Sequence, residues 1–417
     1  MQATFTKALY YRVQFTCVTP MRIGVFMQDK KDLLRRKDGS VFLPSGSIAG
    51  AFRAWKKNNK LLGSQEKGSE LIISDGVFQK SKAIYRHRIA LSNVSATRRQ
   101  ATGTALANSH QDIAVLPQGT TGEFSMVWKG LCDFSAITPV IEAYLAALDD
   151  GQIHLGSGRC NDFGRVRLSV SRGCYDMTDY AQRKAWLSRQ WNGSPISLPA
   201  VANHSAVFNI TAAMPKIFVD SASGKGHHRE NHQWIVPSSS IKGVLLRWCS
   251  LIAPTLDAGD VIPLVFGSPY SPAKQPAGPK SSLVVSDGTY DNAQKLTAFN
   301  RMRMDPALGI ATSVMQNAPW PISGDLRFQL RINASCSRAI GLLLYALRDF
   351  GLGMFDLGSN HAIGWGYADG ITVRLSTRSG TGTMCVADGT VRLYDPESVI
   401  ADYMKNIGGS SYDSNTD

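Results

Sequence analysis

Apolar and polar residues alternate in several short runs of the chain. Alternation occurs at the start (MQATFTKALYYRVQF), from Ala206 (AVFNITAAM), and in the runs RVRLSV and ITVRL that begin at Arg165 and Ile371. A period of two predicts half-buried strands. Two longer apolar runs, TPVIEAYLAALDD from Thr138 and SRAIGLLLYALRDF from Ser337, are predicted helices. Each predicted helix is followed by a glycine-rich loop and then by a predicted strand.

One motif occurs twice. The segments LPSGSIAGAFRAW (43–55) and VPSSSIKGVLLRW (236–248) share a proline, a serine-rich turn and a closing tryptophan. Each segment reads as the end of a strand followed by a helix. Ser47 and Ser240, which lie 193 residues apart, are the predicted N-caps of these helices.

Two further motifs recur in the same order. Ser-Asp-Gly follows a β-branched apolar run at residues 74–76 and again at 286–288, an offset of 212. Leu-Gly-Ser opens the glycine-rich loops at residues 155–157 and 357–359, an offset of 202. Three motifs that recur in one order indicate two copies of one α+β unit of about two hundred residues.

The linker-like stretch Asn192–Pro195 and the strand that restarts at Ala206 place the boundary near residue 198. We therefore expect a first domain over residues 1–198, a second over 199–380, and a C-terminal extension with a disordered tail over 381–417. The order of elements in each domain predicts a ferredoxin-like α+β fold, with two strand–helix–strand halves around an antiparallel sheet.

The composition excludes a disordered chain, since 43% of the 417 residues are hydrophobic and only 18% are charged. The seven cysteines are widely spaced without a CxxC pair, so neither a disulfide framework nor a zinc site is expected, and a reducing cytoplasm fits. We expect no membrane span and no signal peptide. The net charge of +13 favours a polyanion, most often nucleic acid, although a basic protein without such a partner stays possible.

These motifs resemble the RAMP (repeat-associated mysterious protein) superfamily. The residues on which the resemblance rests are the strand end Arg22-Ile23-Gly24, the turn and helix LPSGSIAGAFR, and the loop LGSGRCNDFGRVRL. The chain is similar to backbone subunits of type III CRISPR–Cas effectors, and two units in one chain resemble the fused, III-D-like arrangement. The resemblance implies tandem ferredoxin-like RAMP domains with inserted thumb hairpins. It also implies guide RNA (crRNA), target RNA and other effector subunits as partners in the cytoplasm.

The resemblance further implies an Asp, in the loop after the first strand, that cleaves target RNA with Mg²⁺ or Mn²⁺. Asp32 lies six residues before Asp38, which is the family's typical spacing, so Asp32 is the expected catalytic and metal-binding residue. Asp29 is the alternative in this shorter loop. In the second unit, Asp220 is the corresponding candidate; it either acts from a longer loop or the unit is inactive.

Guide or target RNA is expected to contact basic residues and the serine-rich turns. The candidates in the first unit are Arg22, Lys31, Arg35, Arg36, Ser45, Ser47, Arg53, Arg98, Arg99 and Arg159. The candidates in the second unit are Lys225, His228, Ser238, Ser240, Lys242, Arg247 and Arg301. The alternatives are a solvated charged loop around Asp32 and tight packing turns in the glycine-rich loops.

Two excursions follow the Ser-Asp-Gly landmarks, at residues 92–117 and 300–319. They are the expected thumbs, and ordinary exposed hairpins are the alternative. The segment HHRENH (227–232) could supply a general base and acid, could bind a metal, or could simply touch RNA phosphates.

The prediction from sequence is a double-RAMP backbone subunit that binds guide RNA and cleaves target RNA. A non-catalytic scaffold or 5′-tag-capping subunit is the first alternative. A guide-processing endoribonuclease that uses the loop histidines is the second.

Overall fold

The computed structural model describes most of the chain, and divides it into two compact units. The described residues are 5–24, 32–64, 66, 68–79, 82–89, 110–202, 204–219, 227–230, 232–268, 279–297, 301–305, 307–309, 311–315 and 320–408. Unit 1 comprises Met1–Arg88 and His110–Ala202, and unit 2 comprises Ile89–Ser109 and Asn203–Asp417. None of the described helices is long and apolar enough to cross a membrane.

Unit 1 is a mixed α/β unit. Its strands are β1 (Lys7–Cys17), β2 (Phe42–Leu43), β3 (Leu71–Ile73), β4 (Gly76–Phe78), β5 (Ile84–Ile89), β6 (His110–Val115), β7 (Thr121–Gly130), β8 (Val166–Asp176) and β9 (Ser194–Ile196). Its helices are α1 (Ser45–Trp55), α2 (Asn59–Leu62), α3 (Phe134–Asp149) and α4 (Tyr180–Leu187), with a 3₁₀ turn at Arg159–Asn161.

The sheet of unit 1 is antiparallel, with β1 at its centre. Among the described strands the order is β2-β4-β7-β1-β8-β9, with β3 also paired to β7. Alternate residues of β1 (Leu9, Tyr11, Val13, Phe15 and Cys17) are buried, as the alternation in sequence predicts. They pack under α1 and α3, where the rings of Phe52 and Tyr144 stack with centroids 5.2 Å apart.

Unit 2 is also mixed α/β. Its strands are β10 (Ser205–Ile217), β11 (Arg229–Glu230), β12 (Gln233–Val236), β13 (Val284–Val285), β14 (Gly288–Lys295), β15 (Arg301–Met304), β16 (Ala311–Met315), β17 (Ile322–Asn333), β18 (Ile371–Thr377), β19 (Gly380–Ala387) and β20 (Thr390–Tyr394). Its helices are α5 (Ser238–Ile252), α6 (Val261–Phe266), α7 (Ser337–Gly351) and α8 (Val399–Lys405), with 3₁₀ turns at Ala253–Leu256, His361–Ile363 and Asn406–Gly408.

The described part of unit 2 builds its sheet in the order β11-β12-β14-β17-β10-β18-β19-β20, with β13 also paired to β17. The paired strands are antiparallel in both units, and each central strand lies between the strand that precedes the long apolar helix and the strand that follows it. This arrangement is consistent with a ferredoxin-like RAMP fold.

Residues 380–408 are part of the second core, although residues 381–417 were expected to form an extension. The strand β19 pairs with β18 along its length, and Val399, Ile400 and Ile407 are buried against the same cluster as α7. Apolar residues in this stretch therefore complete the unit. The tail from residue 409 onward lies outside the described residues.

Two-stranded pairs lie at or beside the excursions predicted as thumbs; of their strands, β5 lies before the predicted range 92–117. The strand β5 pairs with β6, and β15 pairs with β16. Each pair is inserted between the strand after the Ser-Asp-Gly turn and the strand that enters the long apolar helix. The side chains of β15 and β16, and residues 90–109, lie outside the described part of the chain.

The two repeated helices begin earlier than predicted. Both α1 and α5 follow a proline directly, and Ser47 and Ser240 lie inside the first turn rather than at the N-cap. The Ser-Asp-Gly turns do the capping instead. The Ser45 N–H donates to Asp75 Oδ1 at 2.8 Å, and the Ser238 N–H donates to Asp287 Oδ1 at 2.9 Å. A carboxylate at a helix N-terminus satisfies a free N–H and complements the helix dipole.

Candidate nucleic-acid interface

In unit 1, three segments that are far apart in sequence meet at residues 21–24. Arg22 forms an isolated antiparallel bridge with Ser157 of the glycine-rich loop, and Gly24 forms one with Leu33. The Ser157 N–H donates to Arg22 O at 2.8 Å, and the Leu34 N–H donates to Ile23 O at 2.9 Å. The fold thus brings the strand end, the glycine-rich loop and the loop of Asp32 to one place.

Arg22 carries a partly buried cation at this junction. Burial lowers the pKa of its guanidinium, because water is removed from the charged form. No acidic side chain of the described residues pairs with it. A half-desolvated arginine without a carboxylate is suited to an anion such as a phosphate.

The glycine-rich loop needs its glycines for packing. Gly156 has φ +80°, and a Cβ there would lie 2.4 Å from Arg22 O. Gly164 has φ +82°, and a Cβ there would lie 1.8 Å from Leu155 O. The loop is therefore a tight turn, as the alternative interpretation held, while Arg159 stands exposed on its 3₁₀ turn.

Asp32 is half-exposed at the edge of this junction. Its Oδ1 accepts the Leu33 N–H at 2.7 Å, and its Oδ2 lies 3.5 Å from Arg35 Nε. Asp38 instead belongs to a turn, where its Oδ1 accepts both the hydroxyl and the N–H of Ser40, and these bonds lower the pKa of Asp38. Asp32 Oδ2 thus faces an exposed cation, whereas Asp38 Oδ1 closes a local turn.

The described residues contain no group of three or more His, Cys, Asp or Glu side chains that could hold a metal. Mg²⁺ in protein sites commonly takes one or two carboxylates, with phosphates and waters filling its octahedron. The Asp32 carboxylate fits that pattern only if bound RNA supplies the other oxygens.

The helix α1 presents a small, polar face. Gly46, Ser47 and Gly50 are exposed, with no atom within 4 Å of a Cβ placed on either glycine. Arg53, also exposed, follows on this helix and donates to Leu62 O. In α5, Gly243 and Arg247 are likewise exposed, and a Cβ on Gly243 would meet nothing within 4 Å. Both helices leave their backbone open to a ligand.

Arg36 and Arg35 are already engaged. Arg36 lies 3.5 Å from Asp75 Oδ2 and over the ring of Phe42, and Arg35 donates to Gly39 O. These exposed contacts are weak, so both cations can exchange them for a phosphate.

Unit 2 places an aromatic residue where unit 1 places Arg22. The Ser359 N–H donates to Phe218 O at 2.9 Å, and a Cβ on Gly358 would lie 2.5 Å from the same oxygen. The Phe218 ring packs against His227 and Trp365. This junction is apolar and holds no cation at the Phe218 position.

Burial lowers the pKa of His227 to about 3, with a smaller contribution from the neighbouring His228. Its Nδ1 accepts the Val219 N–H at 3.1 Å, which requires the neutral ring. His228 Nε2 lies 2.9 Å from Glu230 Oε1, and both side chains are buried. His227 and His228 are therefore packed into unit 2, whereas His232 is exposed, and the interpretation of this segment as a loop that touches phosphates is wrong for 227 and 228.

Three expected RNA contacts of unit 2 are occupied or buried. His228 and Ser238 are buried, and Lys242 Nζ donates to Ser281 Oγ at 2.6 Å. Ser240 is partly exposed and Arg247 is exposed. The remaining candidates, Asp29, Lys31, Arg98, Arg99, Asp220, Lys225 and the side chain of Arg301, lie outside the described residues.

One comparison with known proteins bears on this junction. Residues 14–167 match the family model of the RAMP superfamily. The matched range runs from the second half of β1 to the start of β8, so it contains Arg22, Asp32, α1 and the glycine-rich loop. The match supports the RAMP family for the first unit, as the motifs implied. No curated protein matches the chain.

The repeated helix motif contains two further residues that bear on this interface. Gly50 and Gly243 occupy the same place in the repeated helix motif. A glycine inside a helix costs about 1 kcal/mol relative to alanine. A glycine occurs at this position in both copies although no packing contact requires it. This indicates that the helix backbone is kept open there.

Proposed function

We propose that this protein is a RAMP backbone subunit of a type III CRISPR effector, a fused pair of RAMP units that holds guide RNA and cleaves target RNA. The junction of unit 1 carries the proposal. It combines a half-buried arginine that lacks a described acidic partner, an exposed Asp32 and an open helix face within the range that matches the RAMP superfamily.

RNA is held through its phosphates in this proposal. Arg22 and Arg159 supply charge, Ser47 supplies a hydroxyl, and Gly50 lets the RNA backbone approach α1 closely. The inserted hairpins act as thumbs that splay the guide and its paired target.

Cleavage uses the neighbouring 2′-OH of the target. Its oxygen attacks the adjacent phosphorus in line, the bond to the 5′ oxygen of the next nucleotide breaks, and the products are a 2′,3′-cyclic phosphate and a free 5′-OH. Asp32 would accept the 2′-OH proton, and water would supply a proton to the leaving 5′ oxygen; a divalent metal held by Asp32 and RNA phosphates would supply charge stabilisation. Arg35 lies beside Asp32 and adds positive charge next to the phosphate.

The test is target cleavage by the assembled effector in Mg²⁺. Asp32→Ala should abolish one cut, a loss of about 10²–10⁴ in rate, while guide binding is retained. Stability should change by less than about 1 kcal/mol, because Asp32 is half-exposed. Asp38→Ala is the matched control, since this acid only closes a turn with Ser40.

Asp29→Ala and Asp220→Ala complete the set. A cut that disappears with Asp29→Ala instead moves the catalytic position within the loop, and a second cut that disappears with Asp220→Ala makes unit 2 active. Undiminished cutting in all variants would leave a non-catalytic scaffold. Guide processing by histidines is disfavoured, because His227 is neutral and buried and His228 is bound to Glu230.

A further inference from the structure

Unit 2 carries a cluster of aromatic and basic side chains that has no role in the junction described above. This tryptophan cluster consists of Trp234 on β12, Trp320 just before β17, Lys295 at the end of β14 and Arg229 on β11. Lys295 pairs with Ile322 across the sheet. Lys295 and Trp320 therefore stand at the two roots of the excursion that contains β15 and β16.

The geometry of the cluster joins rings to cations. The rings of Trp234 and Trp320 meet edge to face, with centroids 6.0 Å apart. Lys295 Nζ lies 4.2 Å from the centroid of Trp320, and the Arg229 guanidinium lies 5.6 Å from the centroid of Trp234. Both tryptophans are only partly buried, so each contributes to the core and keeps exposed ring surface.

The two cations lack acidic partners among the described residues. Arg229 Nε donates to the His232 carbonyl, and Lys295 Nζ lies over the Trp320 ring. Two carboxylates on these strands already pair with other groups, Asp291 with Arg327 and Glu230 with His228. The cluster is thus an aromatic surface with uncompensated positive charge.

A shallow cleft of about 320 Å³ opens here, lined by Lys295, Leu296, Thr297 and Trp320. A flat ring beside flexible cations suits one nucleotide of a single strand, whose base stacks on the ring while its phosphate takes the charge. Protein interfaces also use Trp and Arg, but they are depleted in Lys, so Lys295 beside Trp320 favours a polyanion over a protein partner.

We propose that the tryptophan cluster binds a nucleotide of single-stranded RNA, with the base stacked on Trp320 and the phosphate held by Lys295 and Arg229. This assignment rests on the proposed RNA-binding function and adds to it a base-stacking site at the roots of the second hairpin. Lys295, which covers the Trp320 ring without RNA, moves to the phosphate when the base arrives. Stacking is tolerant of sequence, because every base has a π face.

The experiment measures binding of a fluorescein-labelled 20-nucleotide oligouridylate, and of the same RNA made abasic, to the full chain. Trp320→Ala should weaken binding of the intact RNA by about tenfold, and abasic RNA should not distinguish this variant from wild type. Trp320→Phe should restore most of the affinity, and Lys295→Gln should reduce it for both RNAs. Tyr180→Ala is the matched control, because Arg183 covers that exposed ring on α4 of unit 1, and its affinity should not change.

The outcomes separate this site from the function on which it rests. A wild-type chain that binds neither RNA overturns the proposed function. A wild-type chain that binds while Trp320→Ala and Lys295→Gln bind equally well overturns only the tryptophan cluster. The same holds if these variants keep RNA affinity but lose co-purifying effector subunits, since the surface would then contact protein. If Trp320→Ala fails to fold by circular dichroism, the Trp320→Phe and Lys295→Gln variants decide.

Discussion

His227 illustrates how position sets the protonation state of a single residue. Its ring is packed between Phe218 and Tyr290, and its Nδ1 accepts a backbone N–H. A protonated ring would lose that acceptor and carry a charge away from water. The native state therefore takes up the proton only near pH 3, against an ordinary value of 6.5.

This difference predicts an acid-sensitive unit 2. Between pH 6.5 and about 3 the unfolded chain binds a proton at His227 and the native chain does not, so stability falls as pH falls through this window. Between pH 7 and pH 5 the loss should be about 2 kcal/mol from this residue. Urea unfolding at the two pH values measures it.

The control is His227→Asn, whose amide oxygen can replace Nδ1 as acceptor but does not titrate. The variant should lose less stability than wild type on going from pH 7 to pH 5. Equal losses in the two proteins would mean that His227 is not held neutral.

Arg22 and Phe218 show what sequence could and could not reveal at this scale. Arg22 was a candidate because it ends a strand beside recognisable motifs. Phe218 could not be assigned to the equivalent place, because the equivalence is defined by which carbonyl accepts the Ser157 or Ser359 N–H. Such pairings join residues more than one hundred positions apart and leave no local pattern.

At the scale of elements, glycines of the repeated motifs fall into two kinds. Gly164 is fixed by the carbonyl of Leu155, whereas Gly50 faces open space on α1. The first kind builds the fold. The second kind lowers the stability of its own helix. We explain its presence by a ligand that approaches the helix backbone from outside.

We predict opposite consequences for these two glycines. Gly50→Gln should leave the free energy of unfolding unchanged or raise it by up to about 1 kcal/mol, because glutamine favours the helix, yet it should weaken RNA binding by blocking the approach. Gly164→Ala should lower the free energy of unfolding by more than about 2 kcal/mol, because its Cβ meets Leu155 O. Urea unfolding measures the free energy of unfolding, and filter binding measures the RNA affinity. Tight RNA binding by Gly50→Gln would remove α1 from the interface.

Periodicity predicted the long elements correctly and their ends poorly. The alternating runs became β1, β8, β10 and β18, and the apolar runs became α3 and α7. The starts of α1 and α5 were missed because the caps, Asp75 and Asp287, come from turns far along the chain. The part of residues 381–417 that folds was missed because strands such as β19 depend on a neighbouring strand rather than on a repeated motif.

For the whole molecule, the net charge of +13 is the property that most directly concerns RNA. Some of the basic residues are paired with acids, as Arg12 is with Glu123 at 2.8 Å. The effective contacts are therefore fewer than the 45 basic residues and belong to cations without an acidic partner among the described residues, such as Arg22 and Arg159.

Binding of single-stranded RNA should fall steeply with salt, with a log–log slope of about −0.7 per phosphate neutralised. Arg22→Gln should reduce the slope by roughly one contact, and Arg12→Gln should leave it unchanged, since Glu123 already neutralises that side chain. RNA affinity measured at KCl concentrations from about 50 to about 500 mM gives this slope for each variant. An affinity that does not respond to salt would contradict a phosphate-based interface.

The carboxylate caps also impose an order of events on the folding chain. Asp75 is 30 residues beyond the helix turn that it caps, and Asp287 is 49 residues beyond. When the first turn of a helix is capped by such a distant carboxylate, local contacts alone cannot complete it, because a loop must close first. As the chain leaves the ribosome, α1 and α5 stay frayed until the turn into β4 or β14 has emerged and paired. In each unit we therefore expect the first turn of the helix to be completed only after the strand that follows it has paired.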